Sequence, residues 1–364
     1  MSHVPTATTK ETNNNTRKGK TMIATEIVLP GIGAPETLTV RQRELPEPRK
    51  GEVVIRVEAS GISFAEQSMR RGRYPGQPPF PFVPGYDLVG MVTARGAGVT
   101  EVAVGQRVAA VTKTGGWADY AVLSTAGLVP VPDGVDAAEA ETAVVNGVTA
   151  WQMLHRLARV RAGQTVLVHG ASGGVGVLLV QLARLASARV IGTASPAKHD
   201  AVRALGAEPL DYHGGDLVAR VRALAPGGVD VVFDHLGGQS VYDSWALLAP
   251  GGTLVSYGLA SKLDAPGSML GAFLPFLGRI YLWNLLPNGH RAAFYNLWGG
   301  KTLRPRTFQR ELNAALTEVF ALLAQGRIQA QIARRLPLEQ AAEGMRLAES
   351  GAVMGKVVLV PGLV

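Results

Sequence analysis

The segment His169–Gly176, "HGASGGVG", sets four glycines and a serine between the apolar run "TVLV" and the apolar helical stretch "VGVLLVQLARLA". Glycine lets the backbone turn tightly and lets phosphates approach its N–H groups, while the start of the following helix favours negative charge. The spacing is not G-x-G-x-x-G. The strand–turn–helix context points to a dinucleotide, with contacts expected from Gly170, Ser172, Gly173, Gly174, Val175 and Gly176; a purely structural turn is the competing reading. About twenty residues on, "RVIGTASPAKHD" (189–200) reads as a second strand entering a helix. An NAD-binding unit usually ends this strand near a carboxylate that grips the ribose hydroxyls. Here Ser195 and Lys198 follow Thr193 and Ala194, offering a hydroxyl and a cation to a 2′-phosphate, and Tyr212 in "PLDYHGGD" adds a phenolic donor. These residues favour NADPH over NADH, against the reading of Lys198 as an exposed helix residue. His199 is expected to be structural. Leu236, Tyr257 and Gly258, which close the later runs "VDVVFDHLG" and "GTLVSYG", complete the expected cofactor set.

The elements that must position these residues change character along the chain. Residues 22 to about 125 carry short β-branched runs separated by Gly and Pro ("VVIRVEASGI", "LVGMVTARG", "RVAAVT") and predict a β-rich, barrel-like domain. From Asn146, apolar strands alternate with amphipathic helical segments, the pattern of βαβ units in a doubly wound parallel sheet. The predicted organisation is a leader at 1–21, a β-rich substrate domain at 22–145, a dinucleotide domain at 146–288, and a return to the first domain at 289–364.

The chain has 364 residues, 47% of them hydrophobic, with 44 glycines and 22 prolines, as suits an α/β protein with many tight turns. Of its net charge of +8, Lys10, Arg17, Lys18 and Lys20 against Glu11 place +3 in the leader, and no basic run is interleaved with aromatics. A solvated basic surface is therefore expected, and no nucleic-acid partner. The leader has no apolar core, so it is read as a disordered extension rather than a secretory signal or anchor, and a cytoplasmic location is expected. The apolar stretch 269–286 is interrupted by Pro275 and Arg279, which predicts a lid, a subunit contact or a peripheral membrane patch rather than a crossing helix. There is no cysteine. Disulfides, thiol catalysis and Cys-ligated zinc are thereby excluded.

"PGYDLVG" (84–90), "GQRVAAV" (105–111), "GVTAW" (147–151) and "HGASGGVG" together resemble the medium-chain dehydrogenase/reductase superfamily. "VNGVTAW", "GTASPAKHDAV", "PLDYHGGD", "GVDVVFDHLGG" and "VLVPG" make the chain similar to its quinone oxidoreductase (zeta-crystallin) branch, and especially to homologues of the synaptic-vesicle amine transport protein. The resemblance covers roughly residues 22–362. It implies a GroES-like β-barrel domain, a Rossmann domain and a homodimer joined through "AAFYNLWGG". Zinc enzymes of the superfamily carry Gly-His-Glu where Gly85, Tyr86 and Asp87 stand here, and the seven histidines form no ligand-like pair, so no metal is expected. Without a Lewis acid for alkoxide chemistry, reduction of a quinone or an α,β-unsaturated carbonyl is the expected reaction.

In the resembling family, "GISFAEQSMRRGRYPG" (61–76) reads Gly-x-Asn-Phe-x-Asp and lines the nicotinamide pocket; here Ser63 and Glu66 replace the Asn and Asp. Tyr74 is the expected donor to a substrate oxygen, with Ser63 a second hydroxyl, and Glu66 is read as an ion-pair or capping residue. Asn146 and Thr149, which match "VNxxTA", are expected beside the nicotinamide. Gly351 stands where some quinone reductases place an arginine, which shifts the 2′-phosphate onto Lys198 and Tyr212. Two rival readings remain: an enoyl reductase of a polyketide-like pathway, and an NADPH-binding adaptor for membrane or RNA with little catalysis.

Overall fold

A computed structural model describes residues 22–262 and 269–363. The expected leader at 1–21 lies outside the described residues. The middle of the chain forms a six-stranded sheet, parallel throughout. Its order is Glu208–Asp211, Arg189–Ala194, Thr165–Val168, Val229–Asp234, Leu248–Ser256 and Arg291–Phe294. Numbered along the chain this is 3-2-1-4-5-6, the doubly wound order whose crevice opens between the first and fourth strands. Alternating side chains cover both faces. Val166, Val168, Val231 and Phe233 pack with helix Gly174–Leu185, while Leu167, Ile191, Val232 and Leu254 pack with Val221, Val241, Ile280 and Trp283.

The second sheet has seven strands and is built around Glu52–Ile62, which pairs antiparallel with Asp87–Arg95, Tyr120–Ser124 and the chain's last strand, Lys356–Val360. Strand Ile332–Pro337 runs parallel to that last strand, so both lie in the sheet built around Glu52–Ile62. Strand Arg291–Phe294, by contrast, belongs to the parallel sheet. The period-two alternation of Val53, Ile55 and Val57 buries these residues against Leu88, Val92 and Val108.

The two domains meet along the helices Ala137–Ala143 and Val145–Trp151 and along the first residues of the last strand. Gly355 N–H donates to the Ser172 carbonyl at 3.0 Å, pinning that strand to the glycine loop. The apolar stretch beginning at Met269 forms helix Met269–Trp283 with Pro275 inside it. No described helix is long and apolar enough to cross a membrane. The helix turns Trp283 inward, stacked on Trp245 at 4.6 Å, and leaves Tyr281 and Leu282 more than half exposed.

Candidate functional site

Between the domains lies a cleft of about 1660 Å³, and every catalytic and cofactor residue expected from the sequence lines it. Its floor is the glycine loop. Gly170 adopts φ +66°, and a Cβ there would strike the His235 ring; a Cβ on Gly176 would stand 2.1 Å from the Gly170 carbonyl. Gly173 caps helix Gly174–Leu185 with no side-chain bond, so the first N–H groups of that helix stay open to a ligand.

At one end of the cleft, strand Arg189–Ala194 delivers Ser195 and then Lys198. Lys198 Nζ donates to the carbonyls of Gly351 and Val353, at 2.6 and 2.7 Å, and burial lowers its pKa. The lysine is thus a half-buried wall residue spanning the two domains, and its partners among the described residues are neutral carbonyls. Tyr212 faces the same end and is 47% exposed. His199 bonds the Ala194 carbonyl at 3.1 Å and holds the turn. Below them, the Asp234 carboxylate accepts from the N–H groups of Leu236 and Gly237 and from the hydroxyls of Ser240 and Ser244, fixing the loop that presents Leu236. His235 lies beside it, pushed down to about pKa 4 by burial and by His169. The imidazole is therefore neutral, and its buried Nδ1 has no hydrogen-bond partner among the described residues. An open helix start, close-approach glycines and an unpartnered buried nitrogen fit a dinucleotide.

At the other end stand Ser63, Tyr74, Tyr86, Asn146, Thr149 and Trp298. Tyr86 and Trp298 were missed by sequence reasoning as site residues. The Trp298 indole N–H, which can only donate, bonds the Tyr86 oxygen; the Tyr86 and Tyr74 hydroxyls bond each other. The rings meet edge to face, with centroids 5.8 Å apart for Tyr74–Tyr86 and 5.7 Å for Tyr86–Trp298. Burial raises both phenol pKa values and keeps them protonated. With Trp298 donating to it, Tyr86 can donate its hydroxyl hydrogen to the Tyr74 oxygen, and the Tyr74 hydroxyl is left to donate into the cleft.

Ser63 caps helix Phe64–Arg70 in a reciprocal box with Glu66. Glu66 Oε2 accepts from the Ser63 N–H at 2.9 Å and bonds its hydroxyl, and Oε1 accepts from the Tyr86 N–H at 2.6 Å. The capping role expected of Glu66 is present. An ion pair is not seen among the described residues: the residue is buried, no described cation bonds its oxygens, and desolvation, with the nearby Asp87 charge, lifts its pKa to about 7. Beside it, Lys356 Nζ donates to Asp87 Oδ2 at 2.8 Å and Glu141 Oε1 at 2.6 Å, all three fully buried. Asp87 Oδ2 also accepts the Val145 N–H at 3.1 Å and so anchors the helix that carries Asn146 and Thr149. Among the described residues no three His, Cys, Asp or Glu side chains converge in a metal-ligating cluster.

Two family profiles match the chain: "Alcohol dehydrogenase GroES-like domain" over residues 49–133 and "Zinc-binding dehydrogenase" over residues 205–359. It is 35% identical to the synaptic vesicle membrane protein VAT-1 homolog of Rattus norvegicus, over 92% of this chain and 84% of that one. It is 33% identical to a quinone oxidoreductase of Pseudomonas aeruginosa, over 93% of this chain and all of the other. Among solved structures, a mycobacterial protein complexed with NADPH superposes with a TM-score of 0.79 at 30% identity, covering 93% of this chain and all of that one.

Proposed function

The chain belongs to the zinc-independent quinone oxidoreductase branch of the medium-chain dehydrogenase/reductase family, and we propose that it is an NADPH-dependent reductase of quinones or α,β-unsaturated carbonyls. The observation that carries this reading is a single cleft joining two features. One is an uncapped helix start beside Ser195 and Lys198; the other is a donor chain that ends in the Tyr74 hydroxyl. Of the nicotinamide dinucleotides, only one with a 2′-phosphate gives Lys198 an anionic partner to exchange for its two carbonyls. When bound, the cofactor supplies the hydride. The chain's own residues do the rest. Helix Gly174–Leu185 holds the pyrophosphate by its free N–H groups, Asn146 and Thr149 border the nicotinamide end, and Tyr74 donates to the substrate oxygen on which charge develops.

A homodimer is part of the proposal. Strand Arg291–Phe294 ends the parallel sheet and pairs only with Leu248–Ser256 among the described strands, and the apolar outer face of helix Met269–Trp283 adjoins it. Light scattering reads this directly.

The function is tested by following NADPH consumption with 1,4-benzoquinone, 9,10-phenanthrenequinone and short enones, in the presence of a chelator. Turnover with one of these classes supports the reading. Tight NADPH binding with no consumption across the panel favours a binding protein instead.

A further inference from the structure

We propose that Glu66 is the positioning residue of the proton-delivery step, and that it decides whether the Ser63 hydroxyl points its hydrogen into the cleft or back into the protein. The inference rests on the reductase reading. Ser63 has one hydroxyl proton. Its oxygen accepts from the Ala65 N–H at 3.1 Å and is bonded to Glu66 Oε2, while the residue itself lines the cleft. When Glu66 is ionised it has no hydrogen to offer, so Ser63 must donate inward and nothing on this side chain serves the substrate. When Glu66 is neutral, its Oε2–H donates to Ser63 Oγ, and the Ser63 O–H turns outward.

The surroundings place this switch in a useful range. Facing Glu66 are Ser63 on its own helix, the Tyr86 N–H, the Tyr74 and Tyr86 phenols, and the Asp87 carboxylate. Among the described buried cations, Lys356 is engaged by Asp87 and Glu141, and Arg70, on the same helix, by Glu349 and the Gly33 carbonyl; neither bonds Glu66. The desolvation of the Glu66 carboxylate is countered by hydrogen bonds from neutral groups, among them the Ser63 N–H and hydroxyl and the Tyr86 N–H. The group therefore changes charge near pH 7 rather than near the usual carboxylate range.

In the step itself the substrate, reduced by the hydride it receives, takes up one proton. The Ser63 O–H bond breaks as that proton passes to the substrate anion, and a solvent water gives Ser63 Oγ a proton in its place, leaving hydroxide to solvent. Glu66 keeps its own proton throughout and acts by holding the Ser63 hydroxyl turned outward. No further reductant or oxidant is required.

The test is the pH dependence of kcat for NADPH-driven reduction of 9,10-phenanthrenequinone by wild type, Glu66→Gln and Ser63→Ala, together with the infrared carbonyl band of the protonated carboxyl in the cofactor-free protein. Wild type is expected to lose about tenfold in kcat per pH unit above about pH 7, as a required acid does. Glu66→Gln, whose amide donates to Ser63 at every pH, is expected to keep activity with that falling limb gone. Ser63→Ala is expected to lose about 100-fold at pH 6 and to lose the limb as well. A protonated-carboxyl band present at pH 6, absent at pH 8.5 and missing from Glu66→Gln supports the inference without turnover. An unchanged limb in Glu66→Gln overturns it. If that variant does not fold, a limb retained by Ser63→Ala, or a band absent from wild type at pH 6, overturns it equally. A wild type that consumes no NADPH at any pH overturns the reductase reading and this inference with it.

Discussion

Tyr86 and Asp87 are neighbours in the chain, and each opens onto a buried acid site of a different kind. The Asp87 side chain joins Glu141 and Lys356 in a cluster where opposite charges meet, fully enclosed at the junction of the two domains. The Tyr86 N–H reaches Glu66, a carboxyl just as deeply buried with no cation against it. Lys198 is the mirror case: a cation on the cleft wall held by two neutral carbonyls, with no anion bonded to it among the described residues. Where opposite charges meet in the interior, the groups hold the architecture. Where they are unmatched, a proton or a phosphate can supply what is missing: Lys198 lines the cleft, and Glu66 reaches it through Ser63.

The largest effect is expected where the matched cluster is broken. Lys356→Met leaves two buried carboxyls without their cation, and unfolding free energy should fall by about 3–5 kcal/mol in denaturant titrations at pH 7.5. The loss should shrink at acidic pH, where Glu141, already pushed upward by burial and by Asp87, can take a proton. A loss below 1 kcal/mol would mean that the cluster does not hold the fold.

The unmatched acid predicts the opposite sign. Glu66 has a folded pKa of about 7 against 4.5 for the free group, so the folded state binds the proton more tightly. Its stability contribution is complete below about pH 4.5 and is lost as pH rises through 7. A shift of this size corresponds to about 3 kcal/mol. Glu66→Gln should therefore raise stability relative to wild type at pH 8.5 and leave it nearly unchanged at pH 4.5. Equal effects at both values would remove the contrast between the two sites.

Lys198→Ala tests the unmatched cation. Fluorescence titration should show NADPH binding weakened by about 2 kcal/mol, the worth of a hydrogen bond to a charged group, with NADH little changed. Equal losses for both cofactors would make Lys198 a structural tie between the domains instead. The smallest effect is expected from the uncharged chain: Trp298→Phe removes the donor to Tyr86 and should cost about 1 kcal/mol in kcat with cofactor affinity unchanged.

What could be read from the sequence was what is local in it. The glycine loop, the strand that follows and the Ser195–Lys198 turn lie within about thirty residues, and strand–helix alternation alone sets their relative places. The Ser63–Glu66 spacing likewise carried the capping box. The partners from distant segments were not legible. Tyr86 was noticed only as the residue standing where zinc enzymes carry histidine, and Trp298 only as part of an apparent subunit strand, which in the structure ends at Phe294. Lys356 gave no signal, because a lysine opening an apolar strand reads as exposed. The carbonyls that hold Lys198 are backbone groups of residues 351 and 353, and no side-chain pattern announces them.

The central claim, a metal-independent reductase that selects its cofactor through an unmatched lysine, is tested most directly by one ratio. That ratio is kcat/KM for NADPH over kcat/KM for NADH, measured with saturating 9,10-phenanthrenequinone in the presence of a chelator. The account predicts turnover that the chelator does not touch and a ratio of at least about tenfold, the equivalent of a 1.4 kcal/mol preference for the 2′-phosphate. Activity abolished by the chelator, or a ratio near one, would contradict it.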